Sequence, residues 1–266
     1  MNKGKFLVTI VLFTFFACTN DASDTLSKPK PDTAFLKKLA QQLVNNSDSV
    51  GLRFNYIEAL DSVGDYKTAI VHIDSLIYND KGNYGLWFKR AKLYEHAKDT
   101  TQAIISYQKA LVIYRSADGL LALANLYAET KNVLVLTLCD EIDNLRIGRE
   151  YDSYTNFFRG IYYARIGNSQ QAIILFNKSI ANNYTFIYAY MEKGFLLFDG
   201  GKFTEALQVF KKANSVNVTY ADAYYWQGKC FEAMNNKPEA IVQYQQTLAL
   251  DKYFTEAQIA MKRMKG

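Results

Sequence analysis

The sequence predicts an all-α protein built as a solenoid of stacked helix pairs. Three glycines lie 34 residues apart, and an alanine follows each of them after twelve residues. These pairs are Gly160 and Ala172, Gly194 and Ala206, and Gly228 and Ala240. A fixed period in this range is typical of helical repeats that bury their faces by stacking on neighbours. Because apolar residues make up 49% of the chain and it has only three prolines, a continuous helical core is possible.

The charge balance and the cysteines exclude several classes of function. The net charge is +5, and it falls to +3 when Lys3 and Lys5 are set aside with the predicted export signal. This balance is too mild to predict binding to nucleic acid. The three cysteines, Cys18, Cys139 and Cys230, are odd in number and match no metal-binding spacing. Cys139 and Cys230 lie in apolar helical patterns and are predicted to be buried and inert.

Residues 1–17 have the pattern of an export signal peptide. A basic start precedes an apolar run from Phe6 to Ala17, which is too short to span a bilayer. Residues 15–18, Phe-Phe-Ala-Cys, resemble the bacterial lipobox, in which the cysteine is acylated and becomes the mature N-terminus. The resemblance implies a lipid anchor at Cys18. A plain secretory signal followed by an incidental cysteine is the alternative interpretation.

Residues 18–32 are predicted to form a polar tether between this anchor and the folded body. Pro29 and Pro31 stiffen its second half. At full extension the tether reaches about 45 to 50 Å from the bilayer surface. Because Thr19 rather than an aspartate follows Cys18, resemblance to envelope lipoproteins implies the outer membrane, with the body facing the periplasm or the exterior. The protein is thus predicted to be exported and lipid-anchored.

Residues 33–266 are predicted to form the solenoid domain. Asp32 or Thr33 caps a first helix whose apolar residues form one stripe. Six repeating units follow this helix, and a further helix over residues 255–265 caps the array with a polar outer face. The predicted units are 50–83, 84–116, 117–152, 153–186, 187–220 and 221–254.

These units resemble the tetratricopeptide repeat, a pair of antiparallel helices with small and aromatic residues at fixed places. The matching residues are Trp87, Ala91, Tyr94, Ala103, Tyr107 and Ala110 in the second unit, and Tyr224, Gly228, Phe231, Ala240 and Tyr244 in the sixth. The resemblance covers most of the chain and implies a right-handed α-solenoid with a concave wall built by the first helices. Small residues such as Gly160 are needed because two helices approach to about 8 Å only where the touching side chains are small.

The third unit, residues 117–152, is degenerate. Leu136 stands where a small residue is expected to open the second helix, and the unit is longer by two residues. One interpretation is a drifted repeat with a lengthened helix or loop. The other is a bend that presents Arg146, Arg149 and Glu150 to a partner.

The sequence predicts no catalytic site, no metal site and no cofactor. The two histidines, His72 and His96, are interpreted as ordinary, partly exposed side chains without a paired carboxylate, serine or cysteine arrangement around them. Neither a calcium loop nor a glycine-rich phosphate loop is present. The protein is therefore not predicted to be an enzyme.

The concave wall is the predicted binding surface because its positions are unusually apolar. The residues proposed to line it are Phe54, Phe88, Tyr154, Phe157, Tyr188, Met191, Phe195 and Tyr225. Aromatic residues at helical spacing also serve packing between neighbours, so part of this stripe is expected to be core. A hydrophobic groove of this kind suits an extended peptide or a helix.

The predicted function is a non-enzymatic, lipid-anchored scaffold of the cell envelope that binds protein or peptide partners. Membrane contact is expected through the N-terminal lipid, and no contact with nucleic acid is expected. The alternative is a surface lipoprotein that binds a glycan or another small ligand by stacking it on Tyr154, Tyr188 and Tyr225.

Overall fold

The computed structural model describes residues 33–265, and these residues form fourteen α-helices and no strand. The predicted all-α solenoid fold is confirmed. The helices are α1 (Thr33–Asn45), α2 (Val50–Val63), α3 (Tyr66–Asn79), α4 (Tyr84–His96), α5 (Thr100–Ile113), α6 (Ala117–Glu129), α7 (Leu134–Asn144), α8 (Arg149–Arg165), α9 (Ser169–Asn182), α10 (Ile187–Asp199), α11 (Phe203–Val216), α12 (Ala221–Ala233), α13 (Lys237–Leu250) and α14 (Thr255–Lys265).

The predicted signal peptide, the anchor residue Cys18 and the tether lie outside the described residues. Among the residues that are described, none of the helices combines the length and the apolar character needed to cross a bilayer.

The chain divides within α6, between Leu123 and Ala124, into two compact units. In the first unit, α2 packs on α3, α3 on α4 and α4 on α5. Its core contains Ile57, Leu60, Ile73 and other residues buried between these helices. Each helix thus covers the apolar face of the next one in the chain, as expected of stacked repeats.

The second unit repeats this arrangement from α7 to α14, where each helix packs on its successor. One of its core clusters includes Met191, Leu207, Phe210 and Cys230, and a further cluster forms around Tyr244 beneath α14. Ala260 and Met261 of α14 close this second cluster. The C-terminal helix therefore covers the last repeat, as a terminal helix of such an array must.

The periodic glycines lie where paired helices approach each other most closely. A Cβ atom added to Gly160 would lie 2.6 Å from Cε1 of Phe176, and one added to Gly228 would lie 2.6 Å from Cε1 of Tyr244. Gly194 faces Phe210 in the same way. The alanines of the pattern, Ala172, Ala206 and Ala240, are fully buried. The ring of each second helix thus occupies the space that a side chain at the glycine would need.

The turn between the two helices of each repeat contains a residue with left-handed backbone conformation. Glycine takes this place in three turns, at Gly64 (φ 89°), Gly167 (φ 86°) and Gly201 (φ 74°). Residues with a side chain take it in the others, at Lys98 (φ 60°), Lys131 (φ 59°) and Asn235 (φ 59°). Because a Cβ atom makes this conformation unfavourable, the turn geometry is dictated by the helix pair and not by the local residue.

The degenerate third repeat differs from the others in helix length. Its second helix, α7, has 11 residues, whereas the other second helices α3, α5, α9, α11 and α13 each have 14. The next helix, α8, has 17 residues and begins at Arg149, before the predicted unit boundary at residue 153. Arg146 and Glu150 are exposed, and the guanidinium of Arg149 donates a hydrogen bond of 2.7 Å to the carbonyl of Ala181.

Candidate functional site

In the first unit, the predicted wall residues Phe54 and Phe88 are half-buried. Phe54 packs against the core cluster of that unit. The ring of Phe88 lies 5.3 Å from the ring of Tyr107 and 5.6 Å from that of Tyr84, measured between centroids. Both phenylalanines therefore combine neighbour packing with a partly accessible ring.

In the second unit, two of the predicted wall residues belong to the core. Phe157 is 1% exposed and Met191 is 3% exposed. The ring of Phe157 lies 4.9 Å from that of Phe186, which precedes the next repeat, and 5.7 Å from that of Phe176. Because neighbouring rings cover it, Phe157 cannot contact a partner, and the same burial removes Met191 from the surface.

Four predicted wall residues of the second unit are half-buried, and we group them with the adjacent Trp226 as the second-unit wall. Its residues are Tyr154, Tyr188, Phe195, Tyr225 and Trp226. Phe186 links the first two, with ring centroids 5.2 Å from Tyr154 and 5.6 Å from Tyr188. Tyr225 packs 5.1 Å from Phe254 and is thereby held against α14. These ring contacts hold the accessible aromatics on a rigid support.

Trp226 was not among the predicted wall residues, although it lies at the centre of a ring cluster. Its ring centroid is 4.8 Å from Phe195, 5.3 Å from Phe198 and 5.8 Å from Tyr225. Trp226 directly follows Tyr225 in the chain, and it is one of two tryptophans in the sequence. Its position next to Tyr225 in the sequence could have indicated that Trp226 belongs to the wall.

A group of charged side chains lies beside the second-unit wall. Arg165 of α8 donates from Nε to one oxygen of Glu129 at 2.9 Å and from Nη2 to the other at 3.2 Å. Its Nη1 atom lies 3.4 Å from Oε2 of Glu192 on α10. One guanidinium thus connects carboxylates from two other helices, and the shorter bonds go to Glu129.

Glu192 is an unusual residue for this position because it is only 9% exposed. Burial raises the pKa of its carboxyl, and the negative charges of Glu129 and Asp199 add to this effect against the opposing charge of Arg165. The carboxylate is therefore incompletely compensated. Nearby, burial and the neighbouring Asp222, Tyr188 and Glu192 raise the pKa of Tyr220.

The first unit carries a different charged cluster between α2 and α4. The two oxygens of Asp61 accept hydrogen bonds from Nδ1 of His96 at 2.6 Å and from Nζ of Lys89 at 2.8 Å. Lys89 also lies 2.7 Å from Oε1 of Glu58. His96 therefore has one carboxylate partner, which the sequence did not indicate. The residues are distant in sequence, and the packing of successive first helices brings them together.

His72 lies beside a shallow open cavity of about 320 Å³ near α1. Nη1 of Arg53 donates to Nδ1 of His72 at 3.3 Å, and burial together with this guanidinium lowers the pKa of the imidazole. The cavity is lined by Ala40, Leu43, Val44, Arg53, Tyr56 and His72. His72 therefore contacts the guanidinium of Arg53 and, with ring centroids 5.1 Å apart, the ring of Tyr56.

The two described cysteines are buried and unpaired with each other. Burial raises the pKa of both thiols to about 12, with Asp143 and Asp140 adding to the effect at Cys139. Within residues 33–265, no group of three or more His, Cys, Asp or Glu side chains could hold a metal ion. A thiol with such a pKa is not a nucleophile at neutral pH.

Family comparison matches two segments of the chain. A tetratricopeptide repeat family model matches residues 84–116, in the first unit, and another matches residues 191–253, in the second. The predicted tetratricopeptide repeats are confirmed over these residues. A comparison with curated protein sequences finds no match.

Solved structures with tetratricopeptide repeats resemble the chain in fold. A tetratricopeptide repeat protein from Parabacteroides merdae matches 88% of this chain and 92% of its own, with a TM-score of 0.70 and 18% identity. PilW, a type IV pilus biogenesis factor, matches 79% of this chain and 97% of its own, with a TM-score of 0.64 and 23% identity. The Cut9–Hcn1 complex of the APC/C matches 86% of this chain and 45% of its own, with a TM-score of 0.59 and 15% identity.

Proposed function

We propose that this protein is a non-enzymatic scaffold that binds a protein or peptide partner on the second-unit wall. The observation that carries the proposal is the set of half-buried rings supported by a buried core. Such rings contribute large apolar area while losing little side-chain freedom, and aromatic residues are enriched at protein interfaces for this reason. Extended peptides and amphipathic helices both dock in apolar grooves between helices.

The fold neighbours support a binding role in general terms. Cut9–Hcn1 is a hetero-tetramer, and PilW is a factor in pilus biogenesis. Both resemble the present chain in fold at low sequence identity. The chemical nature of the partner of this protein must therefore be inferred from the surface of this protein. The second-unit wall is a suitable part of that surface, because it groups several half-buried rings.

We further propose that the protein is exported and held on a membrane by acylation of Cys18, with the outer membrane as the site. Support comes from the sequence, in which an apolar run ends at a cysteine and a polar, proline-containing segment follows. Several acyl chains would give stable anchoring at about 0.8 kcal/mol per buried methylene. Fractionation of cells that express Cys18→Ser tests this, because the variant should move from the membrane to the soluble fraction. Tight membrane retention of Cys18→Ser would refute the anchor.

Site-specific photo-crosslinking tests the wall. Benzoylphenylalanine replaces Tyr154 or Tyr188 on the second-unit wall, and it replaces Tyr78 as a control, since Tyr78 is 77% exposed on α3 of the first unit. Irradiation of the native envelope should give the same crosslinked partner from both wall positions and none from the control.

Equal crosslinking from Tyr78 and from the wall would contradict the assignment of the surface. If the wall positions capture no protein, a glycan or another small ligand becomes the occupant to test. Isothermal titration of the protein with envelope glycans then decides between these outcomes, because glycan binding should be lost in Tyr188→Ala and retained in Tyr78→Ala.

A further inference from the structure

The face of α10 that carries Tyr188 also carries acidic side chains. Tyr188, Glu192, Phe195 and Asp199 are separated by four, three and four residues. Residues with this spacing lie on one side of a helix. Aromatic and acidic groups therefore alternate along the same face, and the second-unit wall is not purely apolar.

Glu192 is paired less closely with Arg165 than Glu129 is. Arg165 forms a two-point interaction with Glu129, whereas its contact with Glu192 is a single one at 3.4 Å. The charge of Asp199 also acts unfavourably on Glu192. Arg165 thus contacts two carboxylates, Glu129 and Glu192, and its contact with Glu192 is the weaker one. A buried carboxylate without full compensation favours the approach of a further cation.

Aromatic rings stand beside this carboxylate. Tyr188 precedes Glu192 by one helical turn, and Tyr220 interacts electrostatically with both Tyr188 and Glu192. A cation is attracted both by a carboxylate and by the face of a tyrosine ring. Lys193, the next residue on α10, interacts instead with Glu205 of α11. Lys229 on α12 is half-buried and carries one of the positive charges of the repeat that follows.

We propose that the second-unit wall binds a partner segment that carries a lysine or arginine, whose cationic group contacts Glu192 beside Tyr188. The apolar residues that flank the basic residue in the partner contact the rings of the wall. This inference rests on the proposed function, because it takes the wall as the partner surface, and it adds the chemical character of the partner.

Two matched peptide arrays test the proposal. Both display short peptides with randomised apolar and aromatic residues around one fixed central position, which is arginine in one array and its neutral analogue citrulline in the other. The wild-type protein should bind the arginine array about tenfold more strongly, since a hydrogen bond between charged groups contributes on that order. In Glu192→Gln this preference should disappear, while the binding of citrulline peptides stays unchanged.

Glu205→Gln is the control, because the Glu205 side chain is 62% exposed on α11 and lies outside the wall. It should keep the preference for arginine, and circular dichroism should show the same helix content in both variants. Equal binding to both arrays by the wild type, or a preference for arginine that persists in Glu192→Gln, would overturn the cation site and leave the wall intact. Failure of the wild type to bind either array would overturn the wall and the cation site together.

Discussion

His96 of α4 donates a hydrogen bond of 2.6 Å from Nδ1 to Oδ1 of Asp61 on α2. The two residues are 35 positions apart, close to one repeat length. The second oxygen of Asp61 accepts from Lys89, so a single carboxylate holds two groups of the neighbouring repeat. This interaction joins successive first helices to each other through charge-assisted hydrogen bonds.

We expect Asp61→Asn to lower the free energy of unfolding by about 1 to 3 kcal/mol, because it removes the negative charge and one of the two oxygens that accept from Lys89 and His96. Burial tends to raise the pKa of Asp61, but hydrogen bonds from His96 and Lys89 outweigh it and lower the pKa below its ordinary value of 3.8. The stabilisation is therefore present above pH 3.8 and is lost as the pH falls through the lower, folded-state pKa. Urea unfolding of both proteins between neutral and acidic pH measures this difference.

Glu58→Gln is the matched control for Asp61→Asn, because Glu58 also contacts Lys89 but its side chain is 51% exposed. An exposed ion pair contributes less than about 1 kcal/mol. Equal losses of stability in the two variants would show that the Asp61 cluster has no special role.

Gly160→Ala should destabilise the fold by about 1 to 3 kcal/mol, because the new Cβ atom would collide with the ring of Phe176. Gly51→Ala is the opposite case, since an added Cβ atom on α2 meets no atom within 4 Å. It should stabilise the protein by up to about 1 kcal/mol through helix propensity. Thermal unfolding followed by circular dichroism compares them, and equal melting temperatures would contradict the close approach at Gly160.

Lys98→Gly should increase the free energy of unfolding by about 0.5 to 1 kcal/mol. Lys98 has φ 60° at the turn where equivalent repeats carry glycine, and glycine adopts this conformation without steric cost. Lys67→Gly is the control, because it places glycine in the first turn of α3 and should cost up to about 1 kcal/mol. Chemical denaturation of the three proteins separates the two effects, and a loss of stability in Lys98→Gly would contradict the strained turn.

Cys139 and Cys230 should resist alkylation in the folded protein. Burial raises the pKa of both thiols to about 12, so the reactive thiolate is scarce at neutral pH and reagents cannot reach it. Mass spectrometry after iodoacetamide treatment of Cys18→Ser at pH 8 should find neither residue modified in buffer and both modified in urea. Rapid modification in buffer would show that these helices open readily.

The sequence by itself determined the repeat architecture. The glycine and alanine period predicts where helices cross, because close approach requires small side chains at fixed intervals along each helix pair. That argument is local to one repeat, so Gly160 and Ala172 could be assigned from spacing alone. It also indicated that the third repeat departs from the pattern, although the extension of α8 to Arg149 depends on its packing and could not be predicted.

Only the tertiary structure decided which members of the aromatic stripe are accessible. Periodicity specifies the side of a helix on which Phe157 and Tyr154 lie, but the depth of each ring depends on whether a residue from the next repeat covers it. Phe186 covers Phe157, whereas Tyr154 stays half-buried. The bonds from Arg165 to Glu129 and from His96 to Asp61 likewise join residues 36 and 35 positions apart. Their formation depends on how adjacent helices are placed, which a pattern within one helix does not encode.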